Sequence, residues 1–244
     1  MTAPRHSVRH GIAFVLLAIA LACFVLSRRS LAPSTERVDT ALEISTIPPP
    51  FRGERSFEDA MSRHRGKLGD APEVSLLSWG KDGLYAASCT VRVGVPARTL
   101  MDWLTTPEIN MKIFHKHTVR QNYRKLVRQD KRARTILYES SKTGKFRVFG
   151  VNIHHESTVF AVEDWRRLEI RYWLKRPGAM KHFSGFWRLV PVGRRETLVV
   201  FYHEAEPAFP MPSVLRPVIR KVVTKMGASM LYDLIEAIPD LYRD

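Results

Sequence analysis

Cysteine is scarce: the 244 residues hold two, Cys23 inside an apolar run and Cys89 in a stretch that alternates like a strand. Two thiols so placed exclude the crosslinked framework that small extracellular modules use in place of a core. Acidic residues are also few, 24 against 39 Lys and Arg, for a formal charge of +15. The chain lacks a phosphate-cradling glycine loop, a dinucleotide fingerprint and a nucleophile elbow, so it lacks the motifs of the phosphoryl-transfer, hydride-transfer and hydrolase chemistries that short sequences announce. Its nine histidines invite a metal or acid–base reading. His115 and His117 sit in a basic segment, His154 and His155 are neighbours on a strand and face opposite ways, and His203-Glu204 has no second histidine at helical distance. No metal and no cofactor is therefore expected. The signatures of nucleic-acid modules are missing too, so the expected partners include no nucleic acid.

What is present is a concentrated charge. Residues 112–147 carry twelve basic against two acidic side chains, while the rest of the chain is close to balanced. A block of that kind suits an anionic lipid surface or forms an ordinary solvated face. Residues 11–27 form an uncharged run of 17 flanked by Arg5 and Arg9 on one side and Arg28 and Arg29 on the other. That length is at the lower limit for crossing a bilayer and beyond a usual signal core. A single-pass amino-terminal anchor within residues 1–30 is the expectation, with a cleaved signal and an organelle presequence as alternatives. Residues 31–73, which include Pro48, Pro49 and Pro50, show no sustained period and read as a tether, with one short helix possible at 56–65.

From residue 84 to 93 the alternation of Tyr85, Ala87, Cys89, Val91 and Val93 against Thr90 and Arg92 predicts a half-buried strand. Pro96 and Pro107 then open two short helical stretches, the first with Leu100, Trp103 and Leu104 at helical spacing. Short runs rich in β-branched and aromatic residues follow at about 119–128, 133–140, 146–153, 157–163, 168–174, 183–190 and 197–205. Turn chemistry separates them, including a turn expected at Lys142-Thr143-Gly144. The order predicts an antiparallel meander. Between residues 212 and 238, Leu215, Ile219, Val222, Met226, Met230, Leu234 and Ala237 recur at three- and four-residue steps, which predicts one long amphipathic helix.

The segment Val95-Pro96-Ala97 with Trp103-Leu104-Thr105-Thr106-Pro107, and the strand Phe183-Ser184-Gly185-Phe186-Trp187-Arg188-Leu189-Val190-Pro191, resemble the START-like superfamily, nearest its coenzyme Q-binding and polyketide cyclase-like branch. The resemblance covers residues 74–242. It implies an α+β helix-grip fold in which a curved antiparallel sheet of six to seven strands wraps a long carboxy-terminal helix, with two short helices after the first strand. It also implies a cavity for a hydrophobic ligand such as a lipid, quinone or sterol. Period two on the strands sends Phe183, Gly185, Trp187 and Leu189 inward with Leu168, Ile170, Tyr172 and Leu174, while Glu169, Arg171 and Arg188 face out. Tyr172, Phe183, Trp187, Leu189, Met226 and Met230 are the expected cavity residues, methionine and aromatic side chains being suited to flexible apolar guests. Phe209 and Met211, in the apolar connection before the long helix, are the expected lid. The function expected is binding and transfer of that ligand at a membrane, with residues 112–147 touching the surface. The alternatives are a cyclase or dehydratase using Tyr172, His182 or His203 as acid or base, and a scaffold domain with no ligand.

Overall fold

The computed structural model describes residues 66–79, 84–148, 151–176, 180–207 and 216–243. The apolar run at 11–27, the helix considered at 56–65 and the lid residues Phe209 and Met211 lie outside the described residues. Among the described residues no helix is long and apolar enough to cross a membrane.

The elements follow in the order β1 (Glu73–Trp79), β2 (Tyr85–Val93), α1 (Ala97–Thr105), α2 (Pro107–Ile113), β3 (Thr118–Asp130), β4 (Thr135–Val148), β5 (Val151–Asp164), β6 (Glu169–Leu174), β7 (Met180–Pro191), β8 (Thr197–Pro207) and α3 (Arg216–Leu241). One sheet orders them β1-β2-β8-β7-β6-β5-β4-β3, every neighbouring pair antiparallel. This is the helix-grip α+β arrangement, with α3 laid across the sheet and α1 and α2 closing one end.

The sheet has eight strands where six to seven are expected, and the short helices follow the second strand, not the first. Two local signals account for the difference. β1 comes directly after Gly69, Asp70 and Pro72, which read as tether, yet its backbone is satisfied by pairing with β2 from Glu73 to Trp79. Even Leu68, before it, bridges to Arg92. The expected turn at Lys142-Thr143-Gly144 does not form. β4 runs through it, paired on one side with β3 and on the other with β5, so two ladders of hydrogen bonds outweigh the turn preference of three residues. The run 146–153 is accordingly divided between β4 and β5.

The real turns carry recognisable chemistry. Between β3 and β4 the Ala133 amide donates to Asp130 Oδ1 at 2.8 Å, and Arg134 takes φ 56°. Between β5 and β6 the Asp164 carboxylate accepts from the amides of Arg166 and Arg167, and Leu168 takes φ 53°. Proline opens α2 at its first turn, where its missing N–H costs nothing.

Residues directly opposite in an antiparallel ladder share a face. On the inner face, Cys89, Val91 and Val93 of β2 join Trp187 and Leu189 of β7 and Val199 and Phe201 of β8. Leu100, Met101 and Leu104 of α1, Ile113 of α2 and Leu231 and Leu234 of α3 pack onto them, all buried. The outer face also has a buried patch, in which Phe186 stacks on Tyr202 at 5.2 Å between centroids, beside Ala86 and Val200. Glu204 is fully buried there. Burial alone would raise its carboxyl; the bonds from His182, Tyr202 and Ser184 outweigh that and hold it below the usual range.

Candidate functional site

Where α3 meets β2 and β8 the grip is tight. Gly227 faces Cys89 and His203; a Cβ at that glycine would overlap the Cys89 sulfur and stand 3.3 Å from His203 Cε1. Burial pushes the Cys89 thiol up to about 12 and holds the His203 imidazole down to about 4, so both are neutral at physiological pH. Neither ring nitrogen of His203 has a hydrogen-bond partner, and its ring lies 5.2 Å from that of Phe201. Trp187 belongs to the same packed base, 4.4 Å from Phe201 and 5.5 Å from Phe114 between ring centroids, and Leu189 is buried beside it.

Across the sheet the inner face becomes less tightly filled. Tyr138, Ala161, Tyr172, Gly185, His203 and Ala87 form one cross-strand row through β4, β5, β6, β7, β8 and β2. Gly185 lets the Tyr172 ring lie over the sheet: a Cβ there would overlap the Tyr172 hydroxyl and the carbonyl oxygen of Tyr202. Tyr172 packs against Phe183 at 5.4 Å, and burial, followed by the charge of Glu204, raises its hydroxyl far above the usual range. Tyr172 is half-buried, as are Phe183, Met226 and Met230.

The next rows hold groups that the sequence reading did not single out. Arg124, Ser140, Val159 and Leu174 align through β3 to β6, and Gln121, Lys142 and Ser157 align beyond them. Arg124 donates to the Thr105 carbonyl and pairs with Glu163, its guanidinium 3.9 Å from the Tyr138 ring centroid. Burial lifts the Glu163 carboxyl to about 7 against the pull of Arg124. Lys142 donates to Asn110 Oδ1 at 2.7 Å; burial, then repulsion from Arg124, brings its ammonium down to about 8. Ser140 is 7% exposed and its hydroxyl has no partner. Tyr138, Ser140 and Lys142 share one parity on β4, so the inward direction of Lys142 was readable once the strand was taken as continuous.

His117, just after α2, ties the long helix to this end, contacting Ser229 Oγ at 2.9 Å and the buried Asp233 at 3.3 Å. Lys116 reaches Asp233 and Glu236 from the same segment.

The three acid–base candidates do not meet. Tyr172 and His203 flank Gly185 on the inner face, while His182 lies on the outer face and bonds Glu204 at 2.7 Å. Among the described residues no group of three metal-ligating side chains comes together. An open cleft of about 350 Å³ lies apart from the grip, between α1 and the β3–β4 turn, lined by Arg98, Asp130, Lys131 and Arg134 among others. Of the basic block, Arg124 and Lys142 turn inward. Arg120, Lys125 and Arg128 are exposed along β3, the sheet edge, beside exposed Val119, Tyr123, Leu126 and Val127.

No family model matches the chain, and no curated protein matches it. Among solved structures it is similar to a START superfamily protein from Mycobacterium smegmatis, with 15% identity, a TM-score of 0.45, and 64% of this chain and 98% of that one covered. It is similar also to the Zhui aromatase/cyclase from a Streptomyces species, with 17% identity, a TM-score of 0.44, and 65% and 96% covered. The human StarD13 lipid transfer and protein localization domain shares 10% identity at a TM-score of 0.46, with 76% and 98% covered.

Proposed function

We propose that the protein binds a hydrophobic ligand of lipid, quinone or sterol class between the sheet and α3, and that it does so at a membrane surface. The observation that supports the reading is that Tyr172, Phe183, Met226 and Met230 are only half-buried, while Gly185 makes room for the Tyr172 ring over the sheet. Apolar space walled by aromatic and methionine side chains favours an oily guest. Trp187 and Leu189 form the packed floor beneath that space, and Phe209 and Met211 stand in the connection that leads to α3. The edge strand β3 supports the membrane part: exposed Val119, Tyr123, Leu126 and Val127 alternate with Arg120, Lys125 and Arg128, a mixture suited to anionic headgroups with apolar tails beneath. An anchor at residues 11–27 would keep the domain near that surface.

Acid–base catalysis is the weaker reading, since His203 is neutral and its nitrogens are covered, and His182 lies on the other face. Organic extraction of the purified full chain followed by mass spectrometry tests the proposal. A defined apolar species in near-stoichiometric amount is expected; a chain that carries only traces, and takes up none from added lipid, sinks it.

A further inference from the structure

Among the described residues, the inner face beneath α1 and α2 holds one cation more than its acid groups balance. Arg124 spends its charge on Glu163. Lys142 has a single bond, to the neutral amide oxygen of Asn110, and among the described residues no carboxylate lies within ion-pair reach of it. Two residues away on the same face of β4, the Ser140 hydroxyl is buried and unpartnered. A half-buried ammonium with one neutral acceptor is costly, and so is a buried hydroxyl with none. A single group that supplies a negative charge and two acceptor oxygens removes both costs.

We infer that the ligand is an amphipath with a carboxylate head, and that Lys142 and Ser140 receive that head. The inference rests on the ligand-binding reading above and narrows it. The charge count narrows the head to a monoanion, since a phosphate monoester would bring a second negative charge with nothing to meet it, and the carboxylate is the monoanion put to the test. An alcohol, quinone or sterol head would satisfy the hydroxyl but leave the ammonium unmatched. Register places the tail. The Ser140 row ends on Leu174 of β6, one row from Tyr172, so a chain leaving the head runs onto Tyr172 and Phe183. Lys142 and Ser140 would each hold one carboxylate oxygen, and Asn110 would keep the ammonium aimed inward.

The test uses the purified full chain, stripped of lipid and titrated with cis-parinaric acid and, separately, with its methyl ester, read by energy transfer from the protein's tryptophans. The acid is expected to bind about tenfold or more tightly than the ester, the worth of one charge-assisted bond pair. Lys142→Met should bring the acid down to the level of the ester, and Lys142→Arg should retain most of the preference. Ser140→Ala should reduce the preference by a smaller factor, roughly twofold to fivefold. Equal binding of acid and ester by the parent chain, or a preference that survives Lys142→Met, overturns the head-group assignment while the hydrophobic cavity stands. If Lys142→Met loses ester binding too, Ser140→Ala decides, and an unchanged preference there overturns the assignment. Binding of neither probe by the parent removes the ligand reading itself.

Discussion

Replacing His203 should flatten the acid side of the stability profile. The imidazole is 2% exposed, both of its nitrogens lack partners, and burial holds it down to about 4. The unfolded chain titrates this group near its ordinary value of about 6.5. Below that pH the unfolded state takes up a proton that the folded state refuses. The folded protein therefore loses stability as pH falls from about 6.5 toward about 4, and the loss levels off below. At about 1.4 kcal/mol per unit the full loss is about 3 kcal/mol, and about 2 kcal/mol of it accrues by about pH 5. His203→Leu abolishes this contribution. At neutral pH the leucine gains by leaving no orphan nitrogen, roughly 1–3 kcal/mol, and gives back about 1 kcal/mol through imperfect shape against Gly227 and Cys89. The assay is denaturant unfolding of parent and variant at about pH 7.5 and about pH 5, reading the difference of differences. Other groups cancel in that comparison. Among them is Glu163, raised to about 7, which acts in the opposite sense because a buried acid stabilises the fold as it gains its proton. Parallel profiles for the two proteins would refute the reasoning and imply that His203 has a proton partner in solution.

Gly185→Ala should destabilise by roughly 1–3 kcal/mol, because the added carbon meets a backbone oxygen that cannot swing away as well as the Tyr172 hydroxyl; the denaturation midpoint reads it. Arg134→Gly should raise stability by up to about 1 kcal/mol in the same measurement, since Arg134 is exposed and holds a left-handed φ of 56° that costs glycine little. Glu169→Gln should cost about 2 kcal/mol, because that buried carboxylate holds both Arg171 and Arg188, and the loss should shrink in high salt only slightly.

Alternation and helical period carried most of the architecture. β2, β6, β7 and β8 each present the faces that period two assigns them, with Phe183, Gly185, Trp187 and Leu189 on one side of β7 and Arg188 bonding Glu169 on the other. Lys221 and Lys225 are exposed and Leu234 is buried, as an amphipathic α3 requires, but Met226, Met230 and Ala237 are only half-buried and the deepest positions include Gly227 and Leu231, each one residue beyond the expected stripe. What the residues alone did not carry is register and competition. Tyr172 and His203 are 31 positions apart, and only the pairing of each with Gly185 makes them neighbours. The turn preference of Lys142-Thr143-Gly144 is a local property, and it lost to two strands that a local reading does not see. That loss hid the interior lysine, since a residue assigned to a turn is assigned to solvent.

The inner face is thus divided in kind, and the division would let one grip be both stable and receptive, as the proposed function requires. Over β2, β7 and β8 the helix approaches so closely that glycine is needed, and the resulting contacts among Cys89, Phe201, Trp187 and Leu231 supply the burial that holds α3 in place. Over β3, β4 and β5 the covering elements are the short helices and the His117–Asp233 contact, and the groups beneath are Arg124, Glu163, Ser140 and Lys142. Polar groups in such a position lower stability relative to an apolar core of the same shape. A fold that needed only to persist would fill that half with leucine, as it fills the other. The half-buried Lys142 ammonium, without an acid partner among the described residues, is the feature that the proposed carboxylate head would account for.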